Sequence, residues 1–160
     1  DLALRITQKV ADGLIARPVC DIESIFCAHP HYLQDHTPLS HPSQLIQHEC
    51  IAHHTHNQYW TLFDTDQQPQ NYPLNVTFKS NDVIALYQMC LKAEGIAMLP
   101  TLLVRKDIAH QRLQQVFSAF SAPDLTLSLV YASRQHLPKM TQEFIAFVIE
   151  NLGFYLNQQN

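Results

Sequence analysis

An α/β fold is predicted from three observations within one stretch, Ser80 to Pro100. Val83, Leu86, Tyr87, Cys90 and Leu91 recur at the 3, 4, 7, 8 spacing that places them on one face of an amphipathic helix. Ile96-Ala97-Met98-Leu99 is too short for a helix and has no polar alternation, which suits a strand covered on both faces. Both elements are punctuated. The side-chain oxygens of Ser80, Asn81 and Asp82 are placed to accept from a first helical turn, Gly95 stands where a left-handed cap is expected, and Pro100 ends the strand. With the strand that precedes it, the unit is strand, helix, buried strand, and that order favours a parallel α/β architecture.

The other elements follow in chain order. Leu2 to Ile6 reads as a buried strand, Thr7 to Gly13 as a loop, and Leu14 to Val19 as a further apolar segment. Ile22 to Cys27 alternates as one longer strand that ends at His29-Pro30, and Tyr32-Leu33 begin a short helix. Asp35 to Pro42 reads as loop, after which Ser43 caps a second short helix carrying Leu45 and Ile46. His53 to Asn57 is polar and is expected to be exposed. Tyr59 to Phe63 and Leu74 to Phe78 alternate at period two as strands, with Asp64 to Pro73 as an exposed connection. Beyond the central unit, Leu102 to Ile108 is helical, Arg112 to Phe117 an edge strand, and Leu125 to Tyr131 a clear strand. Pro138 opens a last helix whose apolar stripe is Met140, Phe144, Phe147, Val148 and Leu152.

Composition narrows the function classes. Apolar residues make up 46% and charged residues 15% of the 160, which describes a globular chain rather than a disordered one. Ten Lys and Arg are scattered and the net charge is -4, so no basic stripe forms for a phosphate backbone. Cys20, Cys27, Cys50 and Cys90 lack a C-x-x-C spacing and are expected as reduced, buried thiols of a cytoplasmic protein. The longest apolar run, Phe144 to Ile149, is far short of the ~20 residues that span a bilayer. The chain begins without Met and directly in a strand, and so reads as a piece of a longer protein.

Catalytic signatures are missing: no G-x-S-x-G, no G-x-x-x-x-G-K, no H-E-x-x-H and, with three glycines, no dinucleotide loop. No enzymatic activity, cofactor or metal is expected. Eight of the ten histidines fall between His29 and His56. Imidazoles that close together can bind a divalent metal, but a structural zinc site normally adds Cys or carboxylate ligands on fixed elements. Solvated loop histidines are the plainer reading.

The segment SND, a helix and EGIAMLP resembles the effector-binding domain of LysR-type transcriptional regulators. The resemblance continues in order through DLALRI, LIARPV, CAHPHYL, PSQLIQHECI, RLQQVF and SRQHLPKMTQEFIAFV, from about Asp1 to Leu152. Thr7 stands where that family often has Gly, and the His-rich loop is not one of its hallmarks. The resemblance implies a two-lobed sensor like a small periplasmic binding protein, with lobe one incomplete and ligand held between the lobes. Residues 1–19 and 132–156 would belong to lobe one, and residues 20–131 to the crossover strands and lobe two. The crossovers would be Ile22 to Cys27 and Leu127 to Tyr131. The family's helix-turn-helix is absent from this chain, so DNA is expected as a partner only through it. A homodimer or higher homo-oligomer is implied as well.

Strand ends that meet a helix start offer free N–H groups to a small anion. Ser80, Asn81 and Thr101 add neutral donors and acceptors, Arg5 can pair with a carboxylate, and Asp82 can repel an anion or select an amine. With their neighbours, the candidate ligand-binding set is Arg5, Ile6, Thr7, Ser80, Asn81, Asp82, Leu99, Pro100 and Thr101. Each also has a plain structural use as a cap, a core residue or a surface strand residue. The implied ligand is a small molecule, such as a small carboxylate or amino acid. A transport-type solute-binding protein shares the two-lobed fold and stands as the alternative, with a His-rich metal-binding protein behind it.

Overall fold

The structure is a computed structural model that describes residues 2–7, 13–56, 58–132 and 138–157. In chain order its elements begin β1 (Leu2–Thr7), β2 (Ile15–Ile22), β3 (Ser24–Ala28), α1 (Pro30–Asp35), a 3-10 helix (Pro42–Gln47) and β4 (Glu49–His53). They continue β5 (Tyr59–Phe63), β6 (Pro69–Pro73), β7 (Asn75–Ser80), α2 (Val83–Leu91) and β8 (Ile96–Pro100). The remainder are α3 (Thr101–Ala109), β9 (Gln114–Val116), β10 (Leu125–Tyr131) and α4 (Lys139–Asn157). The chain divides into two compact units, residues 1–22 with 124–160, and residues 23–123.

The first unit is a three-stranded antiparallel sheet in the order β1-β10-β2 with α4 packed on it. Leu129, Tyr131, Ile145 and Val148 form its core, flanked by Leu2, Ile15, Val19, Ile149 and Leu152. Two sequence expectations are corrected here. The opening strand pairs with β10, but Leu4 and Ile6 are 49% and 52% exposed, so it is not a buried strand. On α4 the buried stripe is Ile145, Val148, Ile149 and Leu152, while Met140, Phe144 and Phe147 face solvent. An apolar stripe that wide covers more of the helix than one sheet face can bury.

The second unit is a five-stranded mixed sheet, β7-β4-β8-β3-β9, in which β7, β4 and β8 run parallel and β3 and β9 complete it antiparallel. Its inner strands feed two cores, because successive side chains leave opposite faces of a sheet. Cys50 and Ala52 of β4, Ile96 of β8 and Phe26 of β3 join Trp60, Leu62, Tyr72 and Leu45 on one side. Ile51, Ala97, Leu99 and Cys27 join Leu86, Cys90 and Val104 of the helices on the other. Each fully buried large apolar side chain contributes ~1.5–3 kcal/mol, so both layers are needed to hold the sheet. All four cysteines are free and buried, and burial pushes the Cys50 thiol up to about 12.

Several local expectations are revised. Ile22 to Cys27 is two strands that separate at Glu23 into different sheets. β4 is a central strand where the sequence reading named none, and β6 forms a hairpin with β5 inside the stretch expected to be an exposed connection. The helix after Pro42 is 3-10 and is capped by His41, not Ser43, in a capping box closed by Gln44. Ala93 (φ 63) takes the left-handed position at the end of α2. Gly95 (φ 147) has another reason: a Cβ there would lie 2.5 Å from the Glu49 carbonyl oxygen.

The start of β4 is tied to α1 by a polar network. The Tyr32 hydroxyl donates to Glu49 Oε2 (2.6 Å) and accepts from the Glu49 N–H (2.9 Å). That leaves fully buried His48 to donate from Nδ1 to the same phenol oxygen (3.2 Å), with Nε2 facing the Thr37 hydroxyl (3.4 Å). Burial and the neighbouring His36 hold His48 below the usual imidazole value, partly offset by Glu49.

Candidate functional site

Parallel strands put their carboxyl ends at one edge of a sheet, and in α/β folds that edge is where small ligands are received. In the second unit this edge is formed by β7, β4 and β8. The register sets His53 of β4 beside Ser80 of β7, and Ile51 beside Ala97 of β8. Antiparallel β3 starts at the same edge, with Ser24 opposite Pro100 and the Thr101 N–H donating to the Glu23 carbonyl (2.9 Å). Six of the nine predicted residues, Ser80, Asn81, Asp82, Leu99, Pro100 and Thr101, therefore share one sheet edge, on either side of β4. Arg5, Ile6 and Thr7 lie at the end of β1 in the first unit, opposite Ser128, Leu127 and Thr126 of β10.

The two helix starts on this edge differ. At α2, Asp82 is the N-cap: its Oδ1 accepts from the Ile84 N–H (2.8 Å), and Ser80 Oγ accepts from the Asp82 N–H (3.0 Å). Asn81 is thus not the capping residue, and it is exposed. At α3 the N-cap is Pro100, which makes no side-chain hydrogen bond to the first turn. The Thr101 hydroxyl beside it is buried without a protein partner. Unmet donors of a first turn next to a polar hydroxyl suit a ligand carboxylate or carbonyl oxygen. Leu99 is fully buried in the helix-side core, so its side chain supports the edge from below.

The same edge carries a feature that sequence reasoning placed in exposed loop. His53 closes β4, and the turn after it brings His54 and His56 alongside, with ring centroids 4.4 Å and 6.4 Å from His53. His53 and His56 are partly buried. His53 Nδ1 meets the Thr55 hydroxyl at 2.8 Å, and that oxygen meets His56 Nδ1 at 3.1 Å. Burial first, then His54, lowers the His53 imidazole, with a hydrogen bond to the Asn81 backbone opposing. Burial first, then His53 and His54, lowers His56. The signal in the sequence was the apolar run Cys50-Ile51-Ala52 immediately before the histidines, which makes their first member a strand end rather than a loop residue.

Two concavities of about 400 and 470 Å³ flank β9 at the opposite margin of the sheet, one lined by Leu33, Phe117 and Phe120, the other by Pro30, Ile108 and Leu113. Neither contains a predicted site residue. Among the described residues no group of three or more His, Cys, Asp or Glu is placed to hold a metal ion. No helix among them is long and apolar enough to cross a membrane.

Comparison with known proteins adds the following. A family model, the LysR substrate binding domain, matches residues 1–153. The chain is similar to the HTH-type transcriptional regulator PtxR of Pseudomonas aeruginosa, 29% identical over 154 residues that cover 96% of this chain and 49% of the relative. It is also similar to the probable HTH-type transcriptional regulator SinR of Salmonella typhimurium, 28% identical over 145 residues, covering 86% and 45%. It spans about half the length of these curated relatives. Among solved structures, the regulatory domain of CrgA, a LysR-type transcriptional regulator from Neisseria meningitidis, has a TM-score of 0.75 at 29% identity, over 95% of this chain and 75% of that one. The full-length Vibrio cholerae virulence activator AphB, a member of the LTTR family, has a TM-score of 0.78 at 25% identity, over 94% and 51%.

Proposed function

The chain belongs to the LysR substrate binding domain family, and from that premise we propose that it is the effector-sensing part of a bacterial transcriptional regulator. The match over residues 1–153 carries this reading, and relatives that are transcriptional regulators favour it over a transport binding protein. In the longer protein a helix-turn-helix domain would contact DNA, and the sensor would act in the cytoplasm as a homodimer or higher oligomer. Residues 1–19 with 132–156, and 20–131, are proposed as the parts of its two lobes.

The effector is proposed to be a small carboxylate or amino acid received at the carboxyl edge of β7, β4 and β8. Ser80, Asn81 and Thr101 would bind it through neutral donors and acceptors, the uncapped start of α3 at Pro100 would face its negative end, and Asp82 would bias the site toward or against an amine. Leu99 would shape the floor. Arg5, Ile6 and Thr7 are proposed as effector contacts on the family resemblance alone.

A thermal-shift screen of small carboxylates, amino acids and aromatic acids tests this, because a ligand that binds only the folded state raises the midpoint with its concentration over Kd. Thr101→Val keeps the side-chain volume and removes the hydroxyl, and it should weaken the same ligand that Asn81→Ala weakens, by ~1–3 kcal/mol each. Gln70→Ala, on exposed β6, should leave the affinity alone. Equal affinities for wild type, Thr101→Val and Asn81→Ala in calorimetry would remove the site from this edge.

A further inference from the structure

Resting on the reading of this edge as the effector site, we propose that the turn from His53 to His56 receives the negative charge of the effector, so that a small carboxylate binds there with uptake of a proton. The turn is held in place rather than loose. The His54 N–H donates to the Ser80 carbonyl (3.0 Å) and the His56 N–H to the His53 carbonyl (2.8 Å), which pins it to the end of β7.

The hydrogen bonds within the turn decide which ring atom is left for a ligand. His53 Nδ1 accepts from the Thr55 backbone N–H (3.5 Å) and from its hydroxyl (2.8 Å), and the His53 ring also bonds the backbone of Asn81. The Thr55 hydroxyl proton is therefore committed to His53, and its oxygen accepts the Nδ1–H of His56 (3.1 Å). Nε2 of His56 is then a lone pair in the neutral ring and an N–H donor in the charged one. Only the charged ring can donate to an anion from that atom, so an anionic ligand selects it.

The charged groups around the turn are of both signs, so the donor geometry of His56 and not the surrounding field selects the occupant. On β7 the neighbour is Lys79, exposed; at the start of α2 it is Asp82, whose Oδ1 is taken by the Ile84 N–H; β3 is preceded by Glu23, exposed. β8 ends in Met98-Leu99-Pro100, with Thr101 of α3 next, and brings no charge. Among the described residues, no ion pair links His53, His54 or His56 to a carboxylate. The rings of His53 and His54, close beside His56, oppose its protonation, and a carboxylate relieves that opposition directly. A phosphate would call for an arginine fork or a glycine-rich cradle of N–H groups, and among the described residues the strands β7, β4 and β8 carry neither arginine nor glycine.

The test is isothermal titration of the 160-residue chain with acetate and succinate as probes, and with acetamide and succinamide as their uncharged counterparts. Measurement at about pH 6 and about pH 8, in buffers of different ionisation heat, reads the proton count. The expected result is carboxylate binding that strengthens by up to about tenfold per pH unit for each proton taken up, with the amides silent. His56→Gln should lower the affinity near pH 6 to its value near pH 8, and His56→Lys should keep carboxylate binding while abolishing its pH dependence. No carboxylate binding at either pH, or binding without proton uptake, overturns the proposal. Loss of binding in Thr101→Val and Asn81→Ala, with His56→Gln unaffected, keeps the edge as the site and overturns this inference alone. Loss in His56→Gln with those two unaffected supports the turn and moves the site away from the helix starts.

Discussion

At the scale of single residues, Gly95 and His48 are set by what surrounds β4. Gly95 opens β8 with φ 147, and any Cβ would enter the Glu49 carbonyl at 2.5 Å. Neither atom belongs to a flexible side chain that could move aside, so Gly95→Ala should destabilise by at least the ~1–3 kcal/mol typical of overpacking, read as a lower urea midpoint. Trp60, 1% exposed and 5.4 Å from Phe26, gives a fluorescence signal for that measurement from within the second unit. His48, His53 and His56 are all held below the usual imidazole value, mainly by burial. Their neutral forms are favoured in the folded chain, so the unfolded chain takes up protons first as the pH drops through ~6.5, and stability falls from there downward. It is fully present above that value. The Trp60 midpoint should therefore drop between about pH 7 and about pH 5, and replacing His53 and His56 with Gln should flatten the slope. A midpoint constant over that range would refute the assignment. Glu49, lowered chiefly by the Tyr32 hydroxyl, acts in the same sense only further down, as its carboxylate is lost below ~4.5.

At the scale of elements, α2 and α3 are two helices of nine residues with opposite designs at their starts. α2 is closed by its own Asp82, and Asp82→Ala should cost ~1 kcal/mol of stability, the usual value of a lost N-cap, whether or not effector is present. α3 leaves its first turn without a side-chain cap and its Thr101 hydroxyl without a partner. Thr101→Val should then leave the unliganded midpoint unchanged or slightly raised, because it removes an unsatisfied buried oxygen. A clear loss of stability in Thr101→Val would mean that the hydroxyl already serves the fold, and the case for its binding a ligand would fail with it.

At the scale of the whole molecule, large apolar side chains are exposed in both units among the described residues, and those of the first unit lie on β1 and α4. Leu2, Leu4 and Ile6 leave β1 on one face, since alternate residues of a strand do so, and Leu2 belongs to the core under α4 while Leu4 and Ile6 are about half exposed. Met140, Phe144 and Phe147 add 79%, 50% and 61% exposure on α4, and β1 pairs with β10 only among the described residues. Uncovered apolar surface and an open strand edge are both routes to association. The 160-residue chain should show a weight-average mass that rises with concentration in light scattering, and Leu4→Lys with Ile6→Lys should suppress the rise. A monomer at every concentration would refute it.

The sequence by itself determined the units whose cause is local. Val83 to Leu91 repeats at the helical period, Ile96 to Leu99 is apolar on both faces, and Leu125 to Tyr131 alternates, so α2, β8 and β10 were legible from spacing alone. The family was legible too, because its motifs recur in order along the chain. Only the tertiary structure decided β4 and β6: ECIAH and PQNYP show no clean alternation of apolar and polar residues, and each becomes a strand through its pairing, β4 with β7 and β8 and β6 with β5. It was likewise pairing, His53 against Ser80, that carried the histidine turn to the edge shared with Asn81 and Thr101. The sequence showed which residues were imidazoles. What lowers the affinity of His53 and His56 for a proton is burial and then the neighbouring rings of the turn, and burial of that kind exists only once the sheet has formed.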